Sequence, residues 1–143
     1  MTTDIWNGTG NWTGNPADWS THSPPLSSQE AEIQSGVDTL TATTSLSSVL
    51  IAPSAGLSLT GAASLTTTSS LSNLGSLQID SGGGDGGGSL TIGGVLNNSS
   101  TVNIGNSALS AATKVTAKAL VNTGSLTVQG NNASGATDQA TLD

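Results

Sequence analysis

A repeat of about 25 residues is the feature that most constrains what this chain can fold into. Apolar residues recur at or near this spacing in three series, and within each repeat they alternate with polar residues. Such alternation indicates β-strands with one buried face, and equal repeats of short strands indicate a solenoid whose coils bury one another's apolar faces. The series are Leu40, Leu65, Leu90 and Val115; Leu46, Leu71, Leu96 and Val121; and Ile51, Leu77, Val102 and Leu126.

The repeat length predicts which solenoid forms. A coil of roughly 24–25 residues with three short strands has the size of one turn of a parallel β-helix. We therefore predict an all-β chain folded as a right-handed parallel β-helix of about four coils. Residues 1–36 are predicted to form a Trp-rich N-terminal cap and entry strand, and residues 37–143 to form the coils. Turns between strands are predicted at Asn73 with Gly75, at 97–98, and at Asn122 with Gly124.

The composition excludes several classes of protein. The chain contains no Cys, so it forms no disulfide and no zinc–thiolate site. Nine acidic residues against two Lys give a net charge of −7, which predicts no binding of nucleic acid, because a phosphate backbone requires a basic surface. No apolar run approaches the roughly 18 residues that span a membrane, so no membrane insertion is predicted. No cofactor is predicted either.

All three Trp residues, Trp6, Trp12 and Trp19, lie near the start of the chain. They fall in the sequence DIWNGTGNW and in NPADW shortly after it. Together with the coil-like stretches at 96–104 and 120–128, this segment resembles the repeat units of very large bacterial exoproteins of the adhesin and autotransporter-passenger type. The resemblance implies a β-helical stalk, secreted or at the cell surface, that serves adhesion or surface assembly and usually carries no catalysis.

The three Trp residues allow two interpretations. An open end of a β-helix exposes an apolar column and unpaired strand edges, so bulky side chains there are expected to act as a lid. Alternatively, flat aromatic rings stack well on sugar rings, and Trp6, Trp12 or Trp19 could form a glycan-binding face. The lid and the glycan-binding face are compatible if one of these residues, such as Trp12 or Trp19, stays exposed.

Residues that could carry catalysis are few and scattered. His22 is the only histidine, and we expect it to be solvated in a Pro-rich turn. Glu30 and Glu32 are two positions apart on a predicted strand, so their side chains share one face. A pair of carboxylates can catalyse glycoside hydrolysis, but charged residues at this spacing on an edge strand more often provide solubility. We therefore predict no enzymatic activity. Further acids are scattered along the chain, among them Asp18, Asp38, Asp80, Asp85 and Asp138.

Two further patterns match known binding motifs only in part. The stretch 81–89 resembles the calcium-binding nonapeptide G-G-x-G-x-D, but Asp80 and Ser81 stand where its first glycines belong, so a flexible loop is predicted. Threonine-rich stretches at 39–43 and 66–68 resemble the threonine arrays of ice-binding β-helices. The aligned stretch 91–95 reads TIGGV and Thr116 stands alone in the next repeat, so ice binding is not predicted.

The sequence thus predicts a non-enzymatic structural or adhesive module of a bacterial protein that is secreted or lies on the cell surface. Its β-helical stalk would display loops 52–64, 80–89, 105–114 and 129–139 and self-associate end to end or with neighbouring repeats. The alternative is a carbohydrate-binding module that contacts surface polysaccharide through the tryptophans. Residues 1–4 do not resemble a signal peptide, so we expect either a segment of a longer protein or export by a route without a cleaved leader. Residues 139–143 resemble the start of another strand, which favours the segment.

Overall fold

A computed structural model describes residues 2–82, 85–133 and 137–143. These residues form 15 β-strands and one short 3-10 helix, Pro16–Asp18. Every pairing between two strands is parallel. The strands are β1 (Thr3–Asn7), β2 (Gly10–Asn11), β3 (Glu30–Ser35), β4 (Val37–Leu40), β5 (Thr43–Leu46), β6 (Ser48–Ile51), β7 (Gly56–Leu59), β8 (Ser64–Thr67), β9 (Leu71–Asn73), β10 (Ser76–Ile79), β11 (Ser89–Asn98), β12 (Thr101–Ile104), β13 (Thr113–Asn122), β14 (Ser125–Val128) and β15 (Ala140–Leu142).

The strands stack in three faces. The first face contains β1, β3, β6, β9 and the second halves of β11 and β13. The second face contains β2, β4, β7, β10, β12 and β14. The third face contains β5, β8, the first halves of β11 and β13, and then β15. β11 continues from the third face into the first, and its register shifts between Ile92 and Val95 where it does so.

The predicted fold class is confirmed, because the chain is an all-β solenoid of parallel strands. The number of turns is higher than the predicted four: the second face has six strands, one from each turn. Two differences account for this: β1 and β2 pair in parallel with β3 and β4 and so form a turn of their own, and β7 gives residues 37–143 five strands on the second face instead of four. The division of the chain at residue 36 stays a prediction.

Turn length differs between the two ends of the solenoid. Ser64 pairs with Ser89, 25 positions later, as the repeat predicts. Glu30 pairs with Ser48, only 18 positions later. The constant spacing therefore describes the C-terminal turns. The first turn is longer, since Thr3 pairs with Glu30, 27 positions later, and the turns that follow it, up to β9, are shorter than 25 residues.

These shorter turns make the first member of each predicted series wrong. Leu40 pairs with Leu59 on the second face, while Thr44 is the residue aligned with Leu65. Leu46 pairs with Thr67, and Ile51 pairs with Asn73. The predicted loop 52–64 also contains a strand, β7, whose Leu57 is aligned with Leu77.

The later members of the series are confirmed with one exception. Leu65, Leu90 and Val115 are aligned on the third face, and Leu77, Val102 and Leu126 on the second. Leu96 is aligned with Leu71 on one side, but with Leu120 rather than Val121 on the other. The register shift within β11 causes this exception, because it shortens the following turn by one residue.

The core consists of inward-facing residues stacked from turn to turn. Alternate residues are buried in most of the strands between β1 and β12, as in β10, where Leu77 and Ile79 point inward and Ser76 and Gln78 do not. Each apolar side chain is thus covered by its counterparts in the turns on either side, which is how a solenoid builds a core from repeats. Among the described residues, the last turn is covered on one side only, which leaves the inward-facing Leu120 and Val128 exposed, whereas Val121 is exposed because it faces outward.

Candidate functional site

The three tryptophans form one buried cluster inside the first turn. Trp6, Trp12 and Trp19 are 0%, 1% and 0% exposed. Trp19 lies between the other two, with ring centroids 5.2 Å from Trp6 and 4.8 Å from Trp12 and an interplanar angle of 61° in both pairs. Such edge-to-face packing adds to the stabilisation that burial of the rings provides.

Each end of this cluster is held by hydrogen bonds. The Trp6 indole Nε1 donates to the Gly8 carbonyl at 3.1 Å, and the Trp19 indole Nε1 donates to the Trp12 carbonyl at 3.0 Å. Trp19 also forms an antiparallel bridge with Trp6. The loop after β2 therefore folds back into the turn and fills it with its own side chains.

The burial of the cluster bears on both interpretations of the tryptophans. None of the three rings offers a face to solvent, so none can stack on a sugar in this conformation. The rings instead fill the interior at the N-terminal end of the column. Neither the lid nor the glycan-binding role is tested by this position alone, and both stay predictions.

Asp4 is a buried carboxylate beside the cluster that the sequence patterns did not single out. It occupies an inward position of β1, between Thr3 and Ile5. Its oxygens accept hydrogen bonds from the Ser20 hydroxyl at 2.7 Å and from the Thr21 amide and hydroxyl at 3.1 and 2.7 Å. These bonds give the buried oxygens hydrogen-bond partners and attach the Trp19 loop to the first strand.

Asp38 is the second buried carboxylate, and its surroundings are different. It occupies an inward position of β4, between Gly10 of β2 and Leu57 of β7. Among the described residues, no donor forms a hydrogen bond with either carboxylate oxygen. The pKa of Asp38 is raised from 3.8 to about 8, and burial is the main cause. The Thr39 backbone amide opposes this rise without reaching hydrogen-bond geometry, and the Asp18 carboxylate adds to it.

A ladder of asparagine side chains occupies the corner between the first and second faces. The Asn73 Nδ2 donates to the Asn98 Oδ1 at 2.8 Å, and the Asn98 Nδ2 donates to the Asn122 Oδ1 at 2.7 Å. Both amides also donate to backbone carbonyls, those of Thr101 and Ser125. The sequence predicted turns here, and the separations of 25 and 24 positions between successive asparagines are the signal that the side chains stack.

The other candidate residues lie apart from one another. Glu30 and Glu32 point outward from β3, and Glu30 accepts hydrogen bonds from the Thr3 and Ser48 hydroxyls. His22 is exposed in a turn, with a φ of 58°. Among the described residues, no group of three or more His, Asp or Glu side chains could hold a metal ion.

The Gly-rich stretch 81–89 lies partly outside the described residues, since 83 and 84 are not among them. Its described part is attached to neighbouring segments. The Gly88 amide and the Thr113 hydroxyl donate to the Asp80 carboxylate at 2.7 and 2.6 Å. The Asn106 side-chain amide donates to the carbonyls of Asp80 and Gly82, both at 2.7 Å. The predicted loop 129–139 also lies partly outside the described residues, at 134–136.

The outer faces carry two shallow grooves and a column of hydroxyl groups. A groove of about 380 Å³ runs across the second face past Val37, Leu74, Gln78 and Asn103, and one of about 230 Å³ lies beside Leu74 and Val121. On the third face, the outward column is Ser45, Thr66, Thr91 and Thr116. Threonine thus persists over three turns, but the neighbouring column contains Lys114, so the face is not a flat threonine array.

No protein-family model, no curated protein and no solved structure matches this chain. The relation to bacterial adhesin repeats therefore rests on the Trp segment and the coil repeats and stays a prediction. In the described part of the chain, no helix is long and apolar enough to cross a membrane.

Proposed function

We propose that this chain is a non-enzymatic structural module of a bacterial protein, secreted or at the cell surface, that works as a stalk. The observation that carries the proposal is the unbroken stack of parallel strands on three faces. Backbone hydrogen bonds between turns run along the axis of the column, which is about 25 Å tall for strands about 4.8 Å apart. Segments between strands, such as 105–112, supply variable surface for adhesion.

Self-association end to end is part of this proposal. The last turn exposes Leu120 by 44% and Val121 by 53%, next to strands whose outer edge carries no neighbour among the described residues. Exposed apolar side chains beside an open edge favour pairing with another chain. A second copy of this chain is the partner that such an end would accept.

Sedimentation velocity over a range of protein concentrations tests the association. We expect the average mass to rise with concentration, and the double substitution Val121→Lys and Leu120→Lys to abolish the rise. Leu26→Lys is the matched control, because Leu26 is 68% exposed but lies in the first turn. A chain that stays monomeric at every concentration would contradict the association.

Carbohydrate binding by the tryptophans is the alternative proposal, and acrylamide quenching of Trp emission distinguishes it. Buried rings give blue-shifted emission that is quenched poorly and does not change when a polysaccharide is added. Red-shifted emission that a polysaccharide protects from quenching would instead support the carbohydrate-binding module.

A further inference from the structure

The position of Asp38 is unusual because it is fully buried and neither of its oxygens accepts a hydrogen bond from the described residues. Its side chain points inward in a column that continues with Leu57, Leu77 and Val102. The residue paired with it on the other side is Gly10, which has no side chain. An ionised carboxylate in such a place is strongly disfavoured, whereas a neutral one is tolerated.

Asp38 also lies where the first turn, residues 2–29, is attached most weakly. On the first face, β1 pairs with β3 over five residue pairs and its register shifts between Trp6 and Asn7. On the second face, only two pairs connect β2 to β4, and one of them is Gly10 with Asp38. The Trp12 amide adds one hydrogen bond to the Thr39 carbonyl at 2.9 Å.

We propose that Asp38 is a proton-operated latch: its neutral carboxyl group allows the first turn to close over the second, and its ionisation releases the first turn. Release hydrates the carboxylate, which removes the cost of burying it. It also uncovers the edges of β3 and β4, which become free to pair with another strand. The rest of the column, from β3 onward, keeps its parallel pairings.

The charged groups around Asp38 favour the neutral form. β2 and β7, the strands on either side of β4, contain no titratable residue. The carboxylate that faces Asp38 is Asp18, at the end of the 3-10 helix, and it repels a second negative charge. The other charged residues do not offset this repulsion. Asp4 accepts hydrogen bonds from Ser20 and Thr21, and Glu30 and Glu32 point outward from β3. The two Lys residues lie on β13.

The direction of the pH effect follows from linkage. The pKa of Asp38 is about 8 in the closed form and near 3.8 when it is hydrated. The open form therefore binds fewer protons, and the equilibrium constant for opening increases up to tenfold per pH unit until about pH 8. Above that pH the constant levels off.

Trp emission measures this opening directly, because all three Trp residues lie in the first turn. We would record the emission maximum and acrylamide quenching from about pH 5 to about pH 9, with far-UV circular dichroism on the same samples. The wild-type chain should show emission that shifts to the red and is quenched more readily as pH rises, with its β-sheet signal retained. Asp38→Asn should remain blue-shifted and poorly quenched throughout.

The variants make the outcome decisive. Asp38→Asn replaces the titratable carboxyl group by a neutral amide of nearly the same shape, so it should fold as the neutral wild type does. Asp85→Asn, which neutralises a half-buried carboxylate in a later turn, should keep the pH response. The latch is refuted if emission is constant over the range, if Asp38→Asn responds like the wild type, or if the β-sheet signal disappears together with the shift.

Discussion

The first turn and the later turns share one topology but fill their interiors differently. In the later turns, inward residues such as Leu77 and Val102 are stacked on counterparts above and below. The first turn has a neighbour on one side only among the described residues, and its own loop supplies the three indoles that fill it. The comparison teaches that repetition provides a core only where a turn has two neighbours. The first turn provides its own core, whereas the last turn leaves Leu120 and Val128 exposed.

Buried polar groups also differ between the N-terminal turns and the later turns. Asn73 and Asn98 repeat at a fixed spacing, so each amide finds a partner in the next turn. Asp4 and Asp38 have no counterparts at a fixed spacing. Asp4 is satisfied by a loop that happens to reach it, and Asp38 is not satisfied within the described residues.

The largest effect is expected from removing the centre of the Trp cluster. Trp19→Ala deletes both ring contacts and the hydrogen bond to the Trp12 carbonyl. We expect the free energy of unfolding to fall by about 4 kcal/mol, measured by urea denaturation. Leu26→Ala, at an exposed position of the same turn, should change it by less than about 0.5 kcal/mol. A loss below about 1 kcal/mol for Trp19→Ala would show that the cluster does not stabilise the first turn.

Over the whole interval between its two pKa values, Asp38 should give a pH dependence of stability of comparable size. The folded pKa of Asp38 lies above its unfolded value, so its unfavourable contribution is absent below pH 3.8 and grows until about pH 8. Each pH unit in this window should lower the free energy of unfolding by about 1.4 kcal/mol. Urea denaturation at several pH values should show this slope in the wild type and lose it in Asp38→Asn. An equal slope in both chains would assign the pH dependence to another group.

A smaller effect is expected from the asparagine ladder. Asn98→Ala removes the amide that joins Asn73 to Asn122 and leaves the Ser125 carbonyl without this donor. We expect a loss of about 3 kcal/mol in the free energy of unfolding. Asn122→Ala, at the exposed end of the ladder, should cost about 1 kcal/mol. Equal losses at the two positions would mean that the ladder gains nothing from stacking.

The smallest effect concerns the corner next to this ladder. Gly75 lies so close to the Ala55 carbonyl that an added Cβ would come within 2.2 Å of its oxygen. Gly75→Ser should therefore cost about 2 kcal/mol, because the backbone of the neighbouring turn must move. The equivalent corner residue one turn later is Ser100, and Ser100→Gly should cost less than about 1 kcal/mol. Thermal denaturation of both variants checks the difference, and similar melting temperatures would contradict it.

The parallel solenoid could be predicted because its signals are local and repeated. Alternation in segments such as 77–79 and 102–104 identifies strands, and their spacing identifies the turns that stack. The same signals misplaced Leu40, Leu46 and Ile51. Register in the N-terminal half depends on loops of unequal length, and no repeat in the sequence reports those lengths.

The amino-acid pattern alone established the class of fold, the later columns of the core and the corners at Asn73, Asn98 and Asn122. Tertiary structure decided that the tryptophans lie inside the column and that Asp38 faces Gly10 and Leu57. The physical reason is that these two groups of properties depend on different neighbours. Strand formation and stacking depend on neighbours at a fixed spacing, whereas burial and the ionisation of a carboxylate depend on whichever segments the whole fold brings together.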